Sequence, residues 1–165
     1  MYITFEQYGT LYDQMDEKLF NRLLFTAERM IDNHTTGADG VKKLRIAFPT
    51  EENAVAAVMH CAGNIVNLLY QIQEAEIAAA MGRGYTETEQ GLQRKIISRV
   101  ESGSEAISYS DTKLSNSSID AAAADKTVRD KMISTTIREY LSGVTDANGV
   151  NLLYMGTYPA RYRYV

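Results

Sequence analysis

A single cysteine, no tryptophan, two prolines and two histidines among 165 residues close several routes to function. One thiol makes no internal bridge, which excludes a disulfide-stapled secreted scaffold, and a zinc ribbon or finger lacks the second cysteine it needs. Long apolar runs are scarce too. Ala54 to Met59 and Ile77 to Met81 fall far short of the ~20 residues that a bilayer span requires, so no membrane is expected as a partner. The opening Met1-Tyr2-Ile3-Thr4-Phe5-Glu6 has neither the basic start nor the apolar stretch of a secretory leader. With 21 acidic against 17 basic side chains the net charge is −4, which argues against a protein whose main work is gripping phosphates. What remains is a chain 45% apolar and 23% charged, long enough to bury roughly two thirds of its unfolded surface in one core.

The periodicity of that apolar share predicts a mainly α fold. Thr4 and Gln7 stand three apart as a capping box for a short first helix. From Asp16 to about Asn33, Leu19, Phe20, Leu23, Leu24, Ala27, Met30 and Ile31 recur three and four apart, one buried face of an amphipathic helix. His34-Thr35-Thr36-Gly37 ends it, with His34 placed to complement the helix dipole. Val41, Leu44, Ile46 and Phe48 fit either a short strand or a helical turn, closed by Pro49.

Thr50 reads as the cap of the longest element, Glu51 to about Met81, where Val55, Val58, Ala62, Ile65, Leu69 and Ile72 form a seam for neighbouring helices. Two readings of this rod stand. Either part of its surface meets another copy or another protein, or it breaks near Ala75 and its last turns are exposed. Beyond a loop opened by Gly82-Arg83-Gly84, the segments Ile96-Ile97 to Val100 and Ala106-Ile107 to Tyr109 flank Ser102-Gly103-Ser104 as a short β-hairpin, which must pack on helices or on a neighbour. Ser117 or Ser118 caps a third helix to about Leu141, stopped by Gly143. The expected architecture is a small helical bundle with one long central helix. It spans residues 1–146 with the hairpin inserted at about 96–109, and an extended C-terminal tail follows at 147–165. The tail has no acidic residue and interleaves Arg161 and Arg163 with tyrosines, a composition suited to docking on a protein.

Chemistry is thinly represented. His60 and Cys61 are adjacent on a helix and point about 100° apart, so they form no dyad, and Cys61 reads as a small core residue. Glu51-Glu52 is explained by the helix start. No phosphate loop, dinucleotide-binding turn, HExxH pair or nucleophile elbow occurs. No catalytic, cofactor-binding or metal-binding residue is nominated, and the expectation is that the chain is not an enzyme.

The order of segments carries a resemblance. Tyr2-Ile3-Thr4-Phe5-Glu6-Gln7-Tyr8, Phe20-Asn21-Arg22-Leu23, Ala27-Glu28-Arg29-Met30-Ile31-Asp32, Val55-Ala56-Ala57-Val58-Met59-His60-Cys61, the serine-rich stretch from Ile97-Ser98 through Ser102-Gly103 to Ile107-Ser108-Tyr109, Ile137-Arg138-Glu139-Tyr140-Leu141 and Leu152-Leu153-Tyr154-Met155-Gly156 together resemble the head-tail connector, or head completion, proteins of tailed bacteriophages. The likeness covers nearly the whole chain in order. It does not extend to the loop from Gly82 to Lys95 or to the tail beyond Gly156.

The resemblance implies a portal adaptor at the head-tail junction of the virion, assembled in the host bacterial cytoplasm. It would form a closed ring of about a dozen copies beneath the portal protein, and the free chain could be monomeric. The ring would extend the channel for double-stranded DNA, which passes without sequence-specific binding, and would link the capsid to a downstream neck or tail completion protein. An acidic chain suits a channel through which DNA must slide, because a strongly basic lining would hold it. On this reading Ile97, Val100, Ile107, Tyr109, Leu69 and Ile72 are the candidate subunit-interface residues. Leu153, Tyr154, Tyr158 and Arg161 are the candidates for docking on the portal. The alternative class, a small helical DNA-binding regulator, is disfavoured because the best candidate recognition segment, after Thr50, opens with two glutamates and has no Lys or Arg until Arg83.

Overall fold

Six helices carry the fold of the described residues, and the fold is mainly helical. The computed structural model describes residues 1–12, 15–81, 85–88, 91–94, 96–101, 106–110 and 118–159. They fall into two compact units, Met1–Tyr70 with Asp130–Val165, and Gln71–Arg129.

In the first unit, α1 (Phe5–Leu11) starts on the expected capping box. The Gln7 N–H donates to Thr4 Oγ1 at 3.2 Å while the Thr4 N–H donates to Gln7 Oε1 at 2.9 Å. Helix α2 (Glu17–Thr35) is capped by Asp16, whose carboxylate accepts from the N–H groups of Lys18 and Leu19. Its apolar face buries Phe20, Leu23, Leu24, Ala27 and Ile31. Phe20 meets the rings of Phe5 and Tyr8 at centroid separations of 5.4 and 5.1 Å, within the range where aromatic pairs attract beyond simple burial. The ambiguous 41–48 stretch resolves as a helical turn, α3 (Lys43–Ile46). It follows a tight reversal in which Gly40, at φ 76°, donates to the Gly37 carbonyl.

Helix α4 (Glu52–Met81) runs unbroken through Ala75, about 45 Å at 1.5 Å per residue. It begins one residue later than expected, the Glu51 carbonyl accepting from the Val55 N–H. Its buried side is wider than the seam read from sequence. Val58, Ala62, Ile65 and Ile72 are buried as expected, Cys61, Val66 and Leu68 join them, Val55 is exposed and Leu69 half-buried. Gly63 belongs to that side, since a Cβ there would stand 3.1 Å from Ile3 Cδ1 and 3.2 Å from Tyr12 Cε2. By length and composition the Glu52–Ile77 portion could cross a bilayer, which corrects the expectation drawn from strictly apolar runs. Asn, Gln and His residues interrupt those runs without adding charge. The buried face of α4 is nevertheless occupied by the protein's own core.

The third helix expected from sequence is two helices, α5 (Ser118–Ala124) and α6 (Lys126–Leu141). Asp125 divides them. Its carboxylate accepts from the Thr127 N–H at 2.7 Å and its carbonyl from the Arg129 N–H, so it caps α6, as Asp does more readily than it sits inside a helix. Ile133, Ile137 and Leu141 are the buried residues of α6. The second unit holds the end of α4, α5 and the start of α6, with Arg129 paired to Glu76 at 3.0 Å and Ile72 and Ala122 buried. Between α4 and α5 the backbone also includes short extended segments β1 (Tyr85–Thr88), β2 (Gly91–Arg94), β3 (Ile96–Glu101) and β4 (Ala106–Ser110). These are paired two by two, β1 with β2 and β3 with β4.

His34 departs from its expected role. It is half-buried in the last turn of α2, and burial, helped by the charge of Arg138, pushes its pKa below the ordinary 6.5. It therefore stands neutral at pH 7 and adds no cation to the helix end. Because the unfolded chain takes up this proton at higher pH than the folded one, stability is expected to fall as pH drops below about 6.5. Urea midpoints at pH 7.5 and 5.5 measure this, and His34→Gln should show a smaller difference between the two.

Candidate functional site: a buried polar latch on the C-terminal segment

Helix α6 stops at Gly143, whose φ of 77° is the left-handed conformation expected of a glycine there. The chain then turns tightly around Asp146. Asp146 Oδ1 accepts from the N–H groups of Asn148 and Val150, both at 2.9 Å, and Gly149 supplies a second positive φ of 75°. Asp146 Oδ2 accepts the hydroxyl of Tyr158 at 2.6 Å, and Asn148 Nδ2 donates to the same phenol oxygen at 3.0 Å.

Residues 151–158 are held by the turn after α2 and by the start of α3. The Lys43 ammonium donates to the Leu152 carbonyl at 2.9 Å and also to that of Tyr154. Asp39 Oδ2 accepts the Tyr158 N–H at 2.9 Å, and the Ala38 N–H donates to the Met155 carbonyl at 3.0 Å. Gly37 makes this approach possible, because a Cβ on it would lie 2.7 Å from the Gly156 carbonyl oxygen. Lys43 is 0% exposed. Its burial pulls its pKa down, while the negative charges of Asp146 and Asp39 pull it up. An ammonium buried this way stays charged only because polar oxygens surround it, which ties it to the segment it holds.

A second network secures the start of the chain. Arg45 Nε donates to Asp32 at 2.9 Å and a terminal nitrogen of Arg45 reaches Glu28 at 3.1 Å. The guanidinium lies 5.1 Å from the centre of the Tyr2 ring, and the Tyr2 hydroxyl donates to Asp32. Burial, followed by the hydrogen bond to Asp32, raises the Tyr2 pKa, so the phenol remains a donor.

These networks redistribute the residues expected at docking surfaces. Tyr158 is a core residue, 1% exposed, with both its hydroxyl and its N–H engaged, so it presents no surface to a partner. The 147–159 segment is accordingly part of the helical unit, and Leu152 is buried as Tyr158 is. Leu153 is half-buried, and Tyr154 and Met155 face outward at 53% and 59% exposure. Arg161 lies outside the described residues. Of the expected subunit-interface residues, Ile72 is buried within the chain and leaves that set, and Leu69 is half-buried. Ile97, Val100, Ile107 and Tyr109 fall where only the backbone is described. Sequence reasoning missed Lys43, Asp39 and Asp146. No spacing in the 41–48 stretch marked Lys43, which falls outside the pattern of Val41, Leu44, Ile46 and Phe48.

Cys61 is fully buried, and burial alone pushes its thiol up to about 12. A thiol so protonated is a poor nucleophile. Labelling of the native chain at pH 8 is expected to be at least about 100-fold slower than in denaturant, since the thiolate must first be exposed. A half-open depression of about 410 Å³ runs along α1, lined by Phe5, Glu6, Tyr8, Gly9 and Thr10. Among the described residues no group of three or more His, Cys, Asp or Glu side chains is placed to hold a metal ion. Comparison with protein families, with curated proteins and with solved structures found no match to this chain.

Proposed function

We propose that this chain is a head-tail connector of a tailed bacteriophage, a structural adaptor that assembles as a ring under the portal, extends the DNA channel and links the capsid to neck or tail proteins. The observation that carries the reading is the pair Tyr154 and Met155, large apolar side chains held outward on an anchored segment. Apolar and aromatic groups kept exposed in this way are the material of protein interfaces. The order of segments along the chain supports the family. The buried Cys61 thiol, unsuited to nucleophilic work, agrees with an assembly role.

On this reading Leu153 and Tyr154, with Arg161 following in the chain, dock on the portal protein. The outer surface near Leu69, together with a hairpin carrying Ile97, Val100, Ile107 and Tyr109, contributes contacts between copies. Electron microscopy of the chain mixed with its cognate portal tests the proposal. A ring added beneath the portal is the expected result, and light scattering should show the complex. Unaltered portals after mixing at high concentration overturn it.

A further inference from the structure

The turn after α6 carries a reactive dipeptide. Of the chain's eight asparagines only Asn148 is followed by glycine. In such a pair the backbone nitrogen of the glycine can attack the side-chain amide carbon of the asparagine and close a five-membered imide, and glycine has no Cβ to shield that nitrogen. Solvent reaches the pair, since Asn148 is half-buried and Gly149 exposed. Among the described residues, nothing beyond the chain neighbours would lie within 4 Å of a Cβ at Gly149.

Hydrogen bonds rather than bulk therefore hold the two groups. The Gly149 N–H donates to the Asp146 carbonyl at 3.0 Å, so the nucleophilic nitrogen is committed as a donor. The Asn148 amide is tied through Nδ2 to the Tyr158 oxygen at 3.0 Å. The turn between them is closed on both sides. The Asp146 N–H donates to the Val150 carbonyl and the Leu152 N–H to the Val144 carbonyl, both at 2.9 Å, while Asp146 Oδ1 accepts from Asn148 and Val150.

We propose that Asn148 is a self-modification site, guarded by the latch and able to open it permanently. Ring closure needs the Gly149 nitrogen released from the Asp146 carbonyl and the Asn148 side chain released from Tyr158, so it proceeds from a local opening of the turn. The Gly149 nitrogen then gives its proton to solvent base and bonds to Asn148 Cγ. The Cγ–Nδ2 bond breaks, and the nitrogen takes a proton from water and leaves as ammonia. Water opens the imide at Cγ to give aspartate, or at the backbone carbonyl to give isoaspartate. The net change is one water consumed and one ammonia released, with no change of oxidation state. Either product replaces the amide donor beside the Tyr158 phenol with a carboxylate, although that phenol already donates to Asp146. A hydrogen bond is lost and a second negative charge is set near Asp146. Isoaspartate also adds a methylene to the backbone inside the closed turn. Residues 151–158 thereby lose part of their hold, and the outward Tyr154 and Met155 lose their anchor. Nothing in this chemistry depends on the connector reading.

Peptide mapping by mass spectrometry of the full chain, incubated at pH 8 and 37 °C, tests the site. In concentrated urea Asn148 should convert faster than any other asparagine. In native buffer its conversion should be at least about 100-fold slower than in urea. Tyr158→Phe keeps the ring but removes the oxygen that ties the amide. It should convert about fivefold faster than the native chain while still folded by circular dichroism. The consequence is read by amide hydrogen exchange on Asn148→Asp, and on native chain aged to conversion and purified by ion exchange. In both, the Tyr158 and Leu152 N–H groups should exchange at least about tenfold faster than in the unaged chain. Equal rates in buffer and urea, an unchanged rate in Tyr158→Phe, or a faster-converting asparagine elsewhere in urea overturns the guarded site. Unchanged exchange at Tyr158 and Leu152 in the converted chain overturns the opening of the latch.

Discussion

Asp146→Ala is expected to lower stability by about 3–5 kcal/mol, the scale for removing one partner from a buried charged network. The substitution deletes one acceptor group serving the Asn148 and Val150 N–H groups and the Tyr158 hydroxyl. It also removes a negative charge that favours the buried Lys43 ammonium. What remains is a set of desolvated donors and a cation with less compensation, and stranded groups of that kind cost more than the bonds themselves are worth. At about 1–3 kcal/mol per molar urea, the midpoint should fall by more than about 1 M. Tyr158→Phe, which deletes a single hydroxyl and keeps the ring in place, should cost about 1 kcal/mol. Equal effects from the two substitutions would show that Asp146 matters only through Tyr158.

Phe20→Ala is the second large effect, about 3–5 kcal/mol, or a fall in melting temperature of about 10 °C for a chain of this size. Phe20 is buried between Phe5 and Tyr8, so its removal opens a cavity at the junction of α1 and α2 and deletes two ring contacts. Phe25, five residues along the same helix, faces water, and Phe25→Ala should change stability by less than about 0.5 kcal/mol. Thermal unfolding followed by circular dichroism separates the two. A loss at Phe25 comparable to that at Phe20 would contradict the facing of α2 described above.

What could be read from the residues alone was whatever is local and periodic. The Thr4 and Gln7 box, most of the buried face of α2, the end of α2 at Thr35 and the stop at Gly143 each depend on neighbours within a few positions, and all stand in the structure, with Leu19 and Met30 half-buried rather than buried. Asp125 was legible in principle, since an aspartate inside an apparent helix competes for the backbone, yet the apolar spacing on either side concealed the break. The latch was not legible, because Lys43 and Tyr154 are 111 residues apart and Asp39 and Tyr158 are 119 apart. No spacing rule connects such residues. For the same reason Tyr158 read as an exposed aromatic anchor when its hydroxyl and N–H are both spoken for inside the unit.

The outward pair Tyr154 and Met155 belongs to a segment whose carbonyls Lys43 holds. Their exposure as a surface and the folding of the helical unit are consequently one equilibrium. A ligand that takes this surface, and has no affinity for the unfolded chain, must raise apparent stability by about 2.7 kcal/mol at a concentration 100 times its dissociation constant. Conversely, any change that loosens Lys43 or Asp146 must weaken that ligand, even though neither residue touches it. Melting temperature thus becomes a readout of occupancy at Tyr154 and Met155.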